Sequence, residues 1–160
     1  MTKEAFTEGI TAMTNTLYRV SCGLLQSEAD REDAVQEAIA RAWEKLNSLK
    51  HEEYFRTWVV RILINECRSI GRQRGRVIPM EELPVPEFEA APSDERTREL
   101  RRAVMSLPDA LRLPVILHYV EGYDVAEAGR ILGIPAGTVK SRLSRARKQL
   151  KSELEEAEHR

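Results

Sequence analysis

The chain has 160 residues, enough for one ordinary domain or two small ones, and its 42% hydrophobic and 32% charged residues place it among globular proteins. A net charge of −1 excludes a uniformly basic nucleic-acid coat, and two cysteines give neither a disulfide framework nor a CxxC metal pattern. The charge is instead sorted by position. Phe55–Val77 holds Arg56, Arg61, Arg68, Arg72, Arg74 and Arg76 against the single acid Glu66; Glu81–Glu95 holds six acids and no base; Thr138–Lys151 holds six bases and no acid. Blocks of alternating sign point to two anion-binding surfaces separated by a segment that avoids them.

In chain order the periodicity is helical, and the expected fold is all-α. A first helix is expected over about Lys3–Leu25, with Phe6, Ile10, Met13, Leu17, Val20 and Leu24 on one stripe. Ser27 can cap a second, whose first turn is acidic and whose stripe is Val35, Ala38, Ile39, Ala42, Trp43 and Leu46. A third is expected from about Tyr54 to Arg72, with stripe Phe55, Trp58, Val59, Ile62 and Ile70; Glu66 falls on that stripe, where pairing with an arginine would rescue it. Residues 77–93 contain Pro79, Pro84, Pro86 and Pro92 among Glu81, Glu82, Glu87 and Glu89, the composition of an extended acidic linker. The expected organisation is therefore a helical domain over 1–76, a three- or four-helix bundle, then the linker over 77–93 and a second helical domain over 94–160.

In the second domain a helix is expected from near Ser93 to Ser106. Pro108 suits the first turn of the next helix, which Pro114 should kink or delay and Gly122 should end. Asp124 with Glu127 resembles a capping box, Gly133 should end the short helix that follows, Ile134–Gly137 should form a turn, and Thr138 should open the last helix. This is the outline of a helix-turn-helix, whose second helix enters the DNA major groove. At 100° per residue, Val139, Leu143, Ala146 and Leu150 face the core, Ser141, Ser144, Arg145 and Lys148 face away, and Lys140, Arg142 and Arg147 flank them. Short hydroxyls and long cations with no carboxylate suit base edges and phosphates. Gly129 is expected where the two helices come close.

On the third helix, Arg61, Asn65, Arg68 and Arg72 share a face opposite the apolar stripe, and Arg74 and Arg76 continue beyond its end. A polyanion would meet a basic ridge. The Asn65 amide suits either a base edge or a structural hydrogen bond to a neighbouring helix. Tyr54, at the helix edge, is a better candidate for stacking on an unpaired base than Phe55 or Trp58, which lie on the core stripe. On the second helix Asp33, Glu37 and Glu44, with Gln36 on the flank, form an acidic face that cannot bind DNA and suits an arginine-bearing protein partner or simple solvation.

These residues together resemble the extracytoplasmic-function group of bacterial sigma factors, of the sigma-70 family. The matching strings are Asp33-Ala-Val-Gln-Glu37 with Ala42-Trp43, Phe55-Arg-Thr-Trp-Val-Val-Arg-Ile-Leu-Ile-Asn65, Leu107-Pro108 with Arg112, and Gly133-Ile-Pro-Ala-Gly-Thr-Val-Lys-Ser-Arg-Leu-Ser-Arg-Ala-Arg147. They span nearly the whole chain in family order. The resemblance implies a region 2-like bundle and a region 4-like helix-turn-helix. It implies that Asp33, Gln36 and Glu37 dock on the β′ subunit of core RNA polymerase, with the β subunit also a partner. It implies that the loop Asn47–Tyr54 and the third helix, through Tyr54, Arg61, Asn65, Arg68 and Arg72, recognise and open the minus-10 element. The last helix is implied to read the minus-35 element through Thr138, Lys140, Ser141, Arg142, Ser144, Arg145 and Lys148, and the acidic linker to thread polymerase channels. An alternative, stress-responsive role under an anti-sigma factor follows from the same resemblance. Ala128 departs from the larger aliphatic usual in the family.

No catalysis, metal, cofactor, small-molecule substrate or membrane insertion is expected. Asp30, Glu32 and Asp33 can be drawn as metal ligands of a nuclease, but they occupy a helix first turn where acids are favoured anyway, and His51, His118 and His159 have no ligand spacing. An ordinary helix-turn-helix regulator is the other alternative; it would need neither the upstream basic helix nor the acidic face, and would usually dimerise on a palindrome. No signal-peptide pattern or membrane-length apolar run stands out, so the expected location is cytoplasmic.

Overall fold

Every regular element among the described residues is helical. The computed structural model describes residues 1–74 and 94–159, apart from the side chain of Arg74. Arg76, Ser93, and the prolines and glutamates of the expected linker lie outside the described residues. The chain divides into two units, Met1–Arg76 and Val77–Arg160.

The first unit contains α1 (Lys3–Ala12), α2 (Thr14–Cys22), α3 (Glu28–Glu44) and α4 (Phe55–Arg74), with 3-10 turns at Leu46–Ser48 and Glu52–Tyr54 before α4. The single first helix expected from periodicity is broken at Met13, whose φ of −111° and ψ of 14° leave the helical region. The Thr14 hydroxyl donates back to the carbonyls of Ile10 (3.1 Å) and Thr11 (3.2 Å), a local alternative to the helix ladder. The buried stripe survives the break: Phe6, Met13, Leu17 and Val20 are in the core, with Leu25 rather than the half-buried Leu24 completing it. Gly9 is needed on α1 because a Cβ there would lie 2.5 Å from Cε1 of Phe55.

Ser27 caps α3 as expected, accepting from the Asp30 amide. The expected stripe is turned, however. Ala34, Ala38 and Ala42 are completely buried, while Val35 and Ile39 are half-buried and Trp43 is 47% exposed. An alanine ridge at i, i+4, i+8 lets α3 approach α4, on which it packs, and larger side chains are displaced to the flanks. The phase of α4 shifts in the same way: Val59, Val60, Leu63, Ile64 and Cys67 join Phe55 in the core, and Trp58, Ile62 and Ile70 are half-buried. Both cysteines are free and buried. Burial, then the neighbouring Glu66 charge, pushes the Cys67 thiol up to about 12, so it serves as a small core hydrophobe.

A buried arginine closes the α2–α3 connection. Arg31 Nε donates to the Leu25 carbonyl at 2.9 Å and Nη2 to the Gln26 carbonyl at 2.8 Å. The second unit repeats the device. Arg112 Nη1 donates to the carbonyls of Leu107 (2.8 Å) and Met105 (3.1 Å), across the turn between α5 (Glu95–Ser106) and α6 (Asp109–Val115), and Nη2 meets Asp109. Asp94 caps α5, accepting from the Thr97 amide at 2.7 Å. Pro108 stands one residue outside α6, as its N-cap.

Pro114 lies inside α6, and the next five residues, Ile116–Val120, form a π-helical turn closed by the Glu121 amide on the Ile116 carbonyl at 2.9 Å. Pro114 has no N–H to give the Ala110 carbonyl, and the helix widens into the π turn within two residues after it. Gly122, at φ 80°, ends it. Then come α7 (Val125–Leu132) and α8 (Ala136–Glu158). Asp124 caps α7 through the Glu127 amide at 2.8 Å, and Gly133 closes it in the left-handed region at φ 70°. α8 begins at Ala136, two residues before the expected Thr138. The Pro135 carbonyl already accepts from the amides of Thr138 (3.0 Å) and Val139 (3.1 Å), which draws Ala136 and Gly137 into the first turn. Val139, Leu143 and Ala146 fill the core with Leu107, Leu113, Leu117, Ala128 and Ile131.

Candidate nucleic-acid interface

The cationic face of α4 is built by its own period. With Val59, Val60, Leu63, Ile64 and Cys67 committed to the core, Arg61, Asn65, Arg68 and Arg72 are exposed together on the far side. Asn65 sits in solvent on that face, the geometry that a base-edge contact needs. Tyr54 is not in the helix; it ends the 3-10 turn before it, is 45% exposed, and lies edge-on to His51 with ring centroids 6.0 Å apart. Phe55 is buried between Phe6 (5.7 Å, edge-on) and Trp58 (6.3 Å) and is closed to a base.

Glu66, the one acid of this stretch, is 12% exposed and meets Nε of Arg41 at 2.7 Å, the arginine pairing expected for it. The same nitrogen lies 3.3 Å from Oε1 of Glu37. Arg41 is thus a residue that sequence reading missed. Its only signal was the i,i+4 spacing to Glu37. On α3, Asp33, Gln36, Glu37 and Glu44 are all exposed on a shared acidic surface, and Trp43 emerges beside them, touching Phe6 edge-on at 5.1 Å. An exposed indole is the kind of side chain enriched at protein interfaces, and the carboxylates around it give the surface a negative charge.

In the second unit the turn before α8 is held by backbone contacts. The amide of Ile134 donates to the Gly129 carbonyl at 2.9 Å, and a Cβ on Gly129 would lie 2.7 Å from the Ile134 carbonyl oxygen. The close approach is therefore to the turn itself rather than to the flank of α8. Burial raises the Glu127 carboxyl and its contact with Asp124 adds to this, while the Glu127 amide holds Asp124 below its ordinary value. On α8, Lys140, Ser141, Arg145 and Lys148 are exposed, and Thr138, Arg142 and Ser144 are half-buried at the edge of that face. Arg147, also exposed, donates through Nη1 to the Tyr119 hydroxyl at 2.8 Å, which fixes one flank of the face to the π-helical turn. The helix becomes acidic after Lys151, and Glu153 accepts from the Ser106 hydroxyl at 2.7 Å.

Asp30 is buried while Glu32 and Asp33 are exposed, and among the described residues no three His, Cys, Asp or Glu side chains are grouped to hold a metal ion. Among those residues no helix is long and apolar enough to cross a membrane.

Comparison with known proteins agrees with this layout. Residues 10–77 match the family description "Sigma-70 region 2" and residues 97–150 match "Sigma-70, region 4". The ECF RNA polymerase sigma factor SigW of Bacillus subtilis is 29% identical over 169 residues, spanning 95% of this chain and 90% of its own. The ECF RNA polymerase sigma factor SigM of Mycobacterium tuberculosis is 31% identical over 136 residues, spanning 84% of this chain and 69% of its own. Among solved structures, the sigma factor RpoE from Bartonella quintana, crystallised with the anti-sigma factor NepR, matches with a TM-score of 0.80 at 27% identity, over 95% of this chain and 98% of that one.

Proposed function

Because this chain belongs to the extracytoplasmic-function family of RNA polymerase sigma factors, we infer that its two cationic helix faces hold one promoter while core polymerase holds both units. The observation that carries this reading is the pair of exposed basic faces, on α4 and α8, each within a unit matched by a different sigma-70 region. The protein binds core RNA polymerase and directs promoter-specific initiation. It works in the cytoplasm, where that enzyme is, as a regulator rather than an enzyme.

The division of labour we assign is as follows. Asp33, Gln36 and Glu37, helped by the exposed Trp43, dock α3 on a cationic surface of the β′ subunit, and the β subunit contributes the rest of the platform. Tyr54, Arg61, Asn65, Arg68 and Arg72 meet the minus-10 element. Arginines contact the backbone, Asn65 a base edge, and Tyr54 stacks on a base once it is unpaired. Unstacking a base costs a few kcal/mol, which contacts made only to the single strand offset. Thr138, Lys140, Ser141, Arg142, Ser144, Arg145 and Lys148 read the minus-35 duplex in the major groove. The domain boundaries are those of the sequence reading: 1–76, an acidic linker over 77–93 that occupies nucleic-acid channels of polymerase, and 94–160. Docking makes the two grips one bivalent ligand, so each weak unit gains effective concentration from the other. An anti-sigma factor, like that bound by the Bartonella neighbour, holds the protein inactive until a stress signal releases it.

The test is reconstitution. The purified chain is mixed with bacterial core polymerase and transcription start sites are mapped across a genome. A new, shared set of start sites with common minus-10 and minus-35 sequences is the expected result; starts unchanged from core enzyme alone would refute the reading.

A further inference from the structure

Lys140, Ser144 and Arg147 follow the i, i+4, i+7 spacing and so share one flank of α8. An α-helix rises about 1.5 Å per residue, which carries Arg147 about 10 Å along the axis from Lys140, close to the ~12 Å width of the major groove. With Lys140 and Ser144 at base edges, Arg147 comes level with the sugar-phosphate wall. Its guanidinium is exposed, yet Nη1 donates at 2.8 Å to the hydroxyl of Tyr119, 28 residues earlier in the chain. Tyr119 is 53% exposed and stands edge-on to His118, with ring centroids 4.9 Å apart. His118 is tied down in turn: its Nδ1 donates to the Tyr123 carbonyl at 2.7 Å. Both rings belong to the π-helical turn Ile116–Val120 that follows Pro114. The partner chosen for Arg147 is neutral, so the hydrogen bond orients the guanidinium and leaves its charge uncancelled. The Tyr119 hydroxyl also keeps its own hydrogen while accepting from Arg147.

We propose that Arg147 and Tyr119 together form a site for one backbone phosphate at the edge of the minus-35 duplex. The inference rests on the minus-35 role given to α8 and adds two residues to it. The phosphate accepts from the remaining guanidinium N–H groups and from the Tyr119 hydroxyl. A guanidinium that is already ordered loses less side-chain freedom on binding than a solvated lysine or arginine does. The contact carries no sequence information; it sets how far α8 enters the groove and in which register.

The full-length chain is titrated against a labelled DNA duplex of mixed sequence across a low-salt series, since a phosphate contact needs no particular bases. R147A should weaken binding about fivefold and lower the salt slope by about one. Y119F removes one oxygen from an exposed ring and no charge; it should weaken binding about threefold. In an R147A background Y119F should cost nothing further, whereas in a K148A background it should cost its full threefold, because Lys148 stands outside the pair. A circular-dichroism melt checks that each variant is folded, and R147Q replaces R147A should the alanine melt early. A Y119F loss that persists without Arg147, or an R147A chain with the unaltered salt slope, overturns the site. Weaker binding by R145A and K148A but not by R147A removes the site and spares the reading of α8. No change in any of the three removes that reading, and the phosphate site with it.

Discussion

The two units present a cationic helix face by different physical means. In the first, α4 rests on an alanine ridge of α3, and Glu66, the one acid of the Phe55–Arg74 stretch, is answered by a side-chain ion pair to Arg41. In the second, α8 is aimed by backbone: Gly129 against the Ile134 carbonyl, Gly133 in the left-handed region, and the Pro135 carbonyl accepting the first amides of α8. Ion pairs weaken as salt rises, and steric closeness does not. Salt therefore loosens the ion pair beneath the α4 face but leaves the backbone contacts that aim α8 in place. Underneath, the units share one device, an arginine donating to the carbonyls of an interhelical connection, buried at Arg31 and half-buried at Arg112.

Arg31→Met leaves the Leu25 and Gln26 carbonyls without their donors, and should cost about 3 kcal/mol of stability. Both tryptophans, Trp43 and Trp58, lie in the first unit, so a urea titration followed by indole fluorescence reports that loss directly. Gly129→Ala forces a Cβ against backbone in the second unit and should cost about 2 kcal/mol. It should weaken binding of a minus-35 duplex while the indole signal keeps its midpoint. Next in size, Arg145→Ala should lose about 1–2 kcal/mol of discrimination between correct and altered minus-35 bases. Lys148→Ala should weaken all sequences alike and lower the salt slope by about one. Equal loss of discrimination in both variants would place the base reader elsewhere on α8.

The smallest effect is on acidification. The Glu127 amide holds Asp124 below the ordinary carboxylate range, so the folded state prefers it ionised. Its contribution is full above the unfolded value, about 4, and is lost as pH falls through the lower folded value. Asp124→Asn keeps a capping oxygen but cannot titrate. The second unit of that variant should show a flatter acid limb in melts followed by circular dichroism.

Much of the fold was legible because local chemistry specified it: Ser27 and Asp124 as caps, Gly133 as a stop, Glu66 in need of an arginine. Three things were not. The expected α3 stripe held Ala38 and Ala42 correctly, but apolar size added Val35, Ile39 and Trp43 to it, whereas close helix packing selected Ala34 as the third buried position. The break at Met13 has no proline or glycine to announce it and depends on where the Thr14 hydroxyl bonds. The burial of Arg31 had no sequence signal, because it depends on carbonyls that only the folded loop gathers. Within the candidate interface, the faces of α4 and α8 followed from period alone, but Arg41 and the Arg147–Tyr119 pair required tertiary structure.

The central claim is that neither cationic helix suffices without a machine that holds both. Its most direct test is the affinity of the chain for a promoter fragment, measured across a salt series with and without core polymerase. The chain alone should bind weakly and lose that binding by physiological salt, while the assembled enzyme should bind tightly and discriminate sequence. Tight, salt-resistant, sequence-specific binding by the isolated chain would contradict the account.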